Sequence, residues 1–169
     1  MKKDTISASE QIVRLLHRDW IVEGVLQATA FTLQNGETYL SVNRPAVDSF
    51  QMDVYDFLKK HPSYKITDDG NLYQRAEMVV GAVCNICPRF EKQLATLTVE
   101  VEPRDVHVLS HAGIFIRVEG KNLRGGQQTM FKVDEEKTVS SDAILQKVRL
   151  QLLHLSELKQ VCLPFPDKE

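Results

Sequence analysis

A chain of 169 residues with 43% hydrophobic and 26% charged side chains has the length and balance of one globular domain with its own core. Its net charge of −2 and pI near 6.2 exclude a general attraction to nucleic acid or to an anionic membrane. No apolar run approaches the roughly 18 residues of a membrane helix, and no apolar segment follows Met1-Lys2-Lys3, so no membrane span and no secretory leader are expected and the cytoplasm is the expected location.

Ser7-Ala8-Ser9-Glu10 fits a capping box, in which Ser7 caps a helix and Glu10 reaches back to it. Ile12, Val13, Leu15 and Leu16 follow at spacing compatible with a helix, although a strand fits so short a run as well. Asn35-Gly36 predicts a type I′ hairpin turn, with positive φ at both residues. Pairing through that turn sets Phe31 across from Leu40 and puts Phe31, Leu33, Leu40 and Val42 on one face. A helix is expected from Asp48 to about Lys60, because Phe50, Val54, Phe57, Leu58 and His61 form one stripe that Pro62 ends.

Asp69-Gly70 marks a turn, and Leu72 to Val83 reads mostly as strand. Thr98 to Glu102 alternates cleanly and stops at Pro103. His111–Val118 and Thr129–Val133 read as two further strands, joined by a loop with Gly120, Gly125 and Gly126. From Ser140 or Ser141 a second long helix is expected, its stripe running through Ile144, Leu145, Val148, Leu152, Leu155 and on toward Leu158. These elements predict an α+β fold, a mostly antiparallel sheet of about six strands with two long amphipathic helices on one face. Residues 1–169 read as a single domain, with 162–169 as an irregular tail because Pro164 and Pro166 interrupt regular structure.

Three cysteines, an odd number, point to reduced thiols. Cys84-Asn85-Ile86-Cys87 is a C-x-x-C after an apolar run. At a helix N-terminus such a motif has a lowered thiol pKa and does redox chemistry. With His107 and His111 the same pair makes a C-x-x-C…H-x-x-x-H order that would suit zinc. The gap between the pairs is wide, however, and His107 sits in a strand-like alternation. Two cysteines also serve as small buried hydrophobes. The expectation is that Cys84 and Cys87 are buried and structural and that the chain holds no metal or cofactor. Arg124-Gly125-Gly126 with Lys121 offers backbone N–H groups to a phosphate, but a plain hairpin loop is the expected reading.

Two polar stretches interrupt apolar runs, Arg14-Leu15-Leu16-His17-Arg18-Asp19-Trp20 and Leu40-Ser41-Val42-Asn43-Arg44. Such residues either stay solvated or converge on a pocket. Together with Ala30-Phe31, Ser110-His111-Ala112-Gly113 and Val118-Glu119-Gly120, they resemble the pattern of a bacterial protein family of unknown function. That family has an early Arg, a Leu-Ser-Val strand and an Ala-His-Ala-like segment. Ser110-His111 stands where the pattern has Ala-His. The resemblance implies a bacterial origin and raises Arg14, Ser41 and His111, while implying no catalytic role.

The candidate ligand-binding residues are therefore Arg14, His17, Ser41, Arg44 and His111. The alternative metal set is Cys84, Cys87, His107 and His111. The leading expectation is a small domain that binds a small molecule or a protein through a polar pocket. Its rivals are a nucleotide-acting transferase resembling ADP-ribosyltransferases, in which Arg14 would hold a diphosphate, and redox or zinc chemistry at the cysteines. A module that binds a protein through its C-terminal helix is the remaining class.

Overall fold

The computed structural model describes residues 6–86, 97–104 and 107–163. The first apolar run forms strand β1 (Gln11–Leu15), so the helical alternative after Ser7 is not taken. Alternation explains the choice. Ile12 enters one core cluster, whereas Val13 and Leu15 enter another on the opposite side. A short hairpin, β2 (Ile21–Val22) and β3 (Val25–Leu26), follows, then β4 (Leu40–Asn43) and helix α1 (Phe50–Lys60). Strand β5 (Leu72–Val79) runs directly into a short helix, α2 (Val80–Cys84). Beyond it come β6 (Leu97–Pro103), β7 (His111–Val118), β8 (Lys121–Asn122), β9 (Met130–Lys132) and β10 (Thr138–Ser140). Helix α3 (Ser141–Leu155) and strand β11 (Glu157–Cys162) complete the chain described.

The main sheet has seven strands in the order β11-β5-β1-β4-β7-β6, with β8 also on β7, and its pairings are antiparallel. The α+β expectation therefore holds. The helices, however, cover both faces instead of one. Phe50, Val54 and Leu58 of α1 pack with Val13, Leu15 and Tyr73. Ile144, Val148 and Leu152 of α3 pack with Ile12, Leu40, Val42, Ala76, Met78 and Ile114, the alternate residues of the same strands. Strand β1 is apolar on both faces, Ile12 on one and Val13 and Leu15 on the other, so each face there is covered by its own helix. Ser140 caps α3 by accepting the Ala143 N–H at 3.1 Å.

The chain does not continue α3 through Leu158. Ser156 ends the helix, and Glu157–Cys162 adds an edge strand to β5, with Leu158 opposite Ala76 and Val161 opposite Tyr73. That placement sends Leu158 to one core and Val161 to the other. Cys162, placed in the tail by the sequence reading, is thus the last residue of a strand. Among the described residues no helix is long and apolar enough to cross a membrane.

The Asn35-Gly36 turn forms, but not as a hairpin. Glu37 N–H donates to the Gln34 carbonyl at 2.9 Å, and Gly36 alone has positive φ (84°). Positive φ at only the second central residue makes a type II turn, which does not match the twist of two paired strands. Phe31 lies in a 3₁₀ turn (Ala28–Phe31), and Leu40 pairs with Ile114 of β7. Phe31, Leu33, Leu40 and Val42 are still buried in one cluster, reached by packing instead of by hairpin register. The turn docks on the glycine loop instead: Gly36 N–H donates to Gly125 O and Gly125 N–H to Glu37 O, both at 2.9 Å.

This geometry separates three substitutions by urea denaturation. Gly36→Val places a β-branched residue at positive φ and should cost about 1–3 kcal/mol. Gly125→Ala brings a Cβ to 2.0 Å from the Gln34 carbonyl oxygen, a backbone clash, and should cost about 2 kcal/mol or more. Asn35→Ala, at an exposed position without positive φ, should change stability by no more than about 0.5 kcal/mol. Equal losses at Asn35 and Gly36 would contradict the type II assignment.

Candidate functional site

The sheet comes apart between two of its central strands. Strand β1 pairs with β4 only at Val13↔Asn43, and beyond that point the strands diverge. β1 meanwhile stays paired with β5, as far as Leu16 N–H to Gln74 O at 3.1 Å. A gap in a ladder leaves carbonyls without donors, which is costly inside a protein. Arg14 fills this one. Its Nη1 donates to Ser41 O at 2.7 Å, and its Nε donates to Ala30 O in the neighbouring 3₁₀ turn.

Arg14 is buried, with 9% of its surface exposed, and no carboxylate pairs with it among the described residues. Desolvation by burial is the dominant influence and lowers its pKa to about 10, while Tyr64 and Glu37 act in the opposite direction. The guanidinium also lies 5.1 Å from the centre of the Trp20 ring.

Arg14 borders a cleft of about 210 Å³. Trp20, Phe57 and Tyr64 make an aromatic wall, and Gln34, Glu37, Ser41 and Asn43 supply polar groups. The wall is held edge to face: Tyr64 packs against Trp20 at 5.7 Å and against Phe57 at 4.9 Å. His17 packs against both Trp20 and Tyr64, at 5.9 and 5.3 Å, and its Nδ1 accepts the Asp19 N–H at 3.1 Å.

Ser41 and His111 meet on the same face of the sheet. Ser41 stands opposite Gly113 and Asn43 opposite His111, so Ser41 and His111 are diagonal neighbours across β4 and β7. The Ser41 Oγ lies 3.2 Å from His111 Nε2. Gly113, directly opposite Ser41, makes room for Tyr39, whose ring would meet a Cβ there at 2.7 Å. Tyr39 in turn packs on His111 at 6.0 Å and on Phe115 at 5.3 Å. Asn43 is fixed from below: its Nδ2 donates to Ser110 Oγ at 3.0 Å, and that hydroxyl donates to Asp53 of α1 at 2.6 Å.

Of the five candidates, Arg14 and Ser41 line the cleft, His111 touches Ser41, and His17 supports the aromatic wall. Arg44 is elsewhere. It pairs with Glu10 through two hydrogen bonds, 2.8 and 3.1 Å long, and strand alternation turns it away from Ser41 and Asn43. Tyr64, Phe57, Gln34 and Glu37 were not legible as site residues, because each sits in a turn or helix with no motif of its own.

The cysteines give a different picture from the one expected. Cys84 is exposed, not buried: Val80 and Val83 of α2 enter the core, and Cys84 is the last residue of that helix. It therefore lies at a helix C-terminus, where the dipole does not favour a thiolate. Desolvation of the sulfur raises its pKa above the ordinary value, with a hydrogen bond to the Val101 backbone acting against that. Cys87 lies outside the described residues. Among the described residues no three His, Cys, Asp or Glu side chains are grouped to hold a metal, although Cys84, His107 and His111 are all among them. The glycine loop uses its N–H groups internally: Arg124, Gly125 and Gln127 donate to Gln127 Oε1, Glu37 O and Arg124 O.

Compared with models of known protein families, with curated proteins and with solved structures, the chain matches none.

The Cys84 environment predicts slow chemistry. In a protein with Cys87→Ser and Cys162→Ser, iodoacetamide should modify Cys84 more slowly near neutral pH than it modifies free cysteine. The rate should keep rising at pH values where free cysteine has levelled off. A faster reaction than free cysteine would indicate an activated thiolate.

Proposed function

We propose that the protein is a small-molecule-binding domain whose cleft takes a ligand with one anionic group and a flat, aromatic body. The observation that carries this reading is Arg14, a buried cation that borders a cleft and that forms no ion pair among the described residues, Glu37 of the same cleft acting on it only at longer range. A buried charge ordinarily has an opposite charge beside it. A ligand carboxylate or phosphate would supply one. Two of the three guanidinium nitrogens already donate, to Ala30 O and Ser41 O. The N–H groups left, one on Nη1 and two on Nη2, lie on one edge of the guanidinium and suit a single anionic group better than the diphosphate of an ADP-ribosyltransferase substrate. The wall of Trp20, Tyr64 and Phe57 favours a planar body, and Gln34, Ser41 and Asn43 offer hydrogen bonds around it.

Trp20 is the only tryptophan of the chain, so its fluorescence reports on this cleft alone. Titration with benzoate, AMP and inorganic phosphate should give a saturable change, tightest for the two aromatic anions. Glu37→Gln removes a negative charge that acts on Arg14 and should tighten binding several-fold. The response should disappear in Arg14→Met, with circular dichroism confirming that this variant is folded. Unsaturable changes with all three probes, or tight binding that survives Arg14→Met, would refute the anionic reading.

A further inference from the structure

We infer that Ser41 and His111 form a nucleophile and general base that cleave a carboxylic ester lying along the cleft. This inference rests on the cleft being a ligand site, as proposed above, and adds a reaction to it. The 3.2 Å separation of Ser41 Oγ and His111 Nε2 is within reach for proton transfer. Ser41 is exposed and lines the cleft, so its hydroxyl is open to a substrate. The pair sits on adjacent strands of the main sheet, where the ladder fixes the spacing of both backbones. Tyr39 packs against the imidazole, and the glycine opposite Ser41 is what allows the Tyr39 ring to lie there.

The charge needed at the reacting carbonyl is also close. Arg14 donates to the carbonyl of Ser41 itself, which brings a cation beside the nucleophile. Serine attack on an ester carbonyl places negative charge on the former carbonyl oxygen, and a fixed cation in a desolvated setting stabilises it. The Ser41 C=O faces the gap left by β1, and in an antiparallel strand the N–H of the same residue faces the same way. The nucleophile's own N–H thus faces the same gap as the Arg14 guanidinium, a second donor beside the cation.

The reaction balances with water as the only co-reactant. Ser41 Oγ bonds to the carbonyl carbon as its proton passes to His111 Nε2. The tetrahedral adduct collapses, the ester C–O bond breaks, and the imidazolium returns the proton to the leaving alcohol. Water, deprotonated by the same imidazole, then attacks the acyl-serine. Serine is released, and the products are one carboxylic acid and one alcohol.

A fluorophosphonate probe tests this directly, because an activated serine displaces its fluoride and keeps the phosphonyl group. Mass spectrometry should find one adduct per chain, on Ser41, in the native protein and none in urea-unfolded protein. His111→Gln keeps a group that can hydrogen-bond to Ser41 but cannot take its proton, and should label at least about 100-fold more slowly. Hydrolysis of 4-nitrophenyl acetate should show a burst that Ser41→Ala abolishes. No adduct on native protein, an adduct on another residue, or equal labelling of His111→Gln would overturn the assignment. The two readings fail separately. A saturable Trp20 response to benzoate without Ser41 labelling keeps the binding site and removes the reaction. Ser41 labelling without any Trp20 response keeps the nucleophile and removes the anionic ligand.

Discussion

The buried guanidinium of Arg14 is the interaction on which the site depends. Where β1 and β4 part after Val13↔Asn43, two backbone carbonyls from distant segments, Ala30 and Ser41, converge on it. A planar fork with five donors serves the two from different nitrogens, Nε and Nη1, in a fixed geometry. The arrangement has a cost. Lowering the pKa to about 10 disfavours the charged form by on the order of 3 kcal/mol. Hydrogen bonds from a charged donor contribute about 1.5–3 kcal/mol each, so two of them offset a penalty of that size. The charge stays, and the sheet stays open beside it.

An opening in a sheet is useful only if the elements around it are rigid. Here each face is braced independently. The α1 side is tied to β4 and β7 through Asp53, which accepts from Ser49 Oγ at 2.8 Å and from both the N–H and the hydroxyl of Ser110. On the other side, Arg149 of α3 donates to Thr32 Oγ1 at 3.0 Å, so the segment that carries Ala30 is held from α3 as well as from Arg14. Further along β7, arginine guanidinium groups cover the sheet. Phe115 is only 2% exposed because Arg104 and Arg117 lie over its ring, and Arg117 is held in place by Glu100 and Glu102. These contacts leave Ser41 and His111 as neighbours on a fixed surface.

Where sequence and structure disagree, long-range packing overrode a local signal. Asn35-Gly36 has the composition of a hairpin turn, and it does turn. Its flanks then follow different partners, Phe31 into a 3₁₀ turn and Leu40 onto β7. Leu158 extends the apolar stripe of α3 by spacing alone, yet Ser156 caps the helix and β5 offers an edge that takes the next six residues. The C-x-x-C reads as a redox or metal motif, but Cys84 is the last residue of helix α2, at its C-terminus.

What the sequence determined by itself is the set of elements that period and punctuation encode. The stripe from Phe50 to Leu58 ended by Pro62, the alternation of Thr98 to Glu102, and the serine cap and stripe of α3 all depend on neighbours within a few residues. The sequence also singled out Arg14, Ser41 and His111, because polar residues inside apolar runs need a reason to be there. The tertiary structure decided where they sit. It made Arg14 a substitute for a missing strand, set Ser41 diagonal to His111, turned Arg44 away to Glu10, and brought Tyr64 and Glu37 from unrelated turns to the same cleft. The physical reason is range. Burial is written in local periodicity, whereas the meeting of side chains from separate strands depends on register, and register is settled only when the whole sheet is assembled.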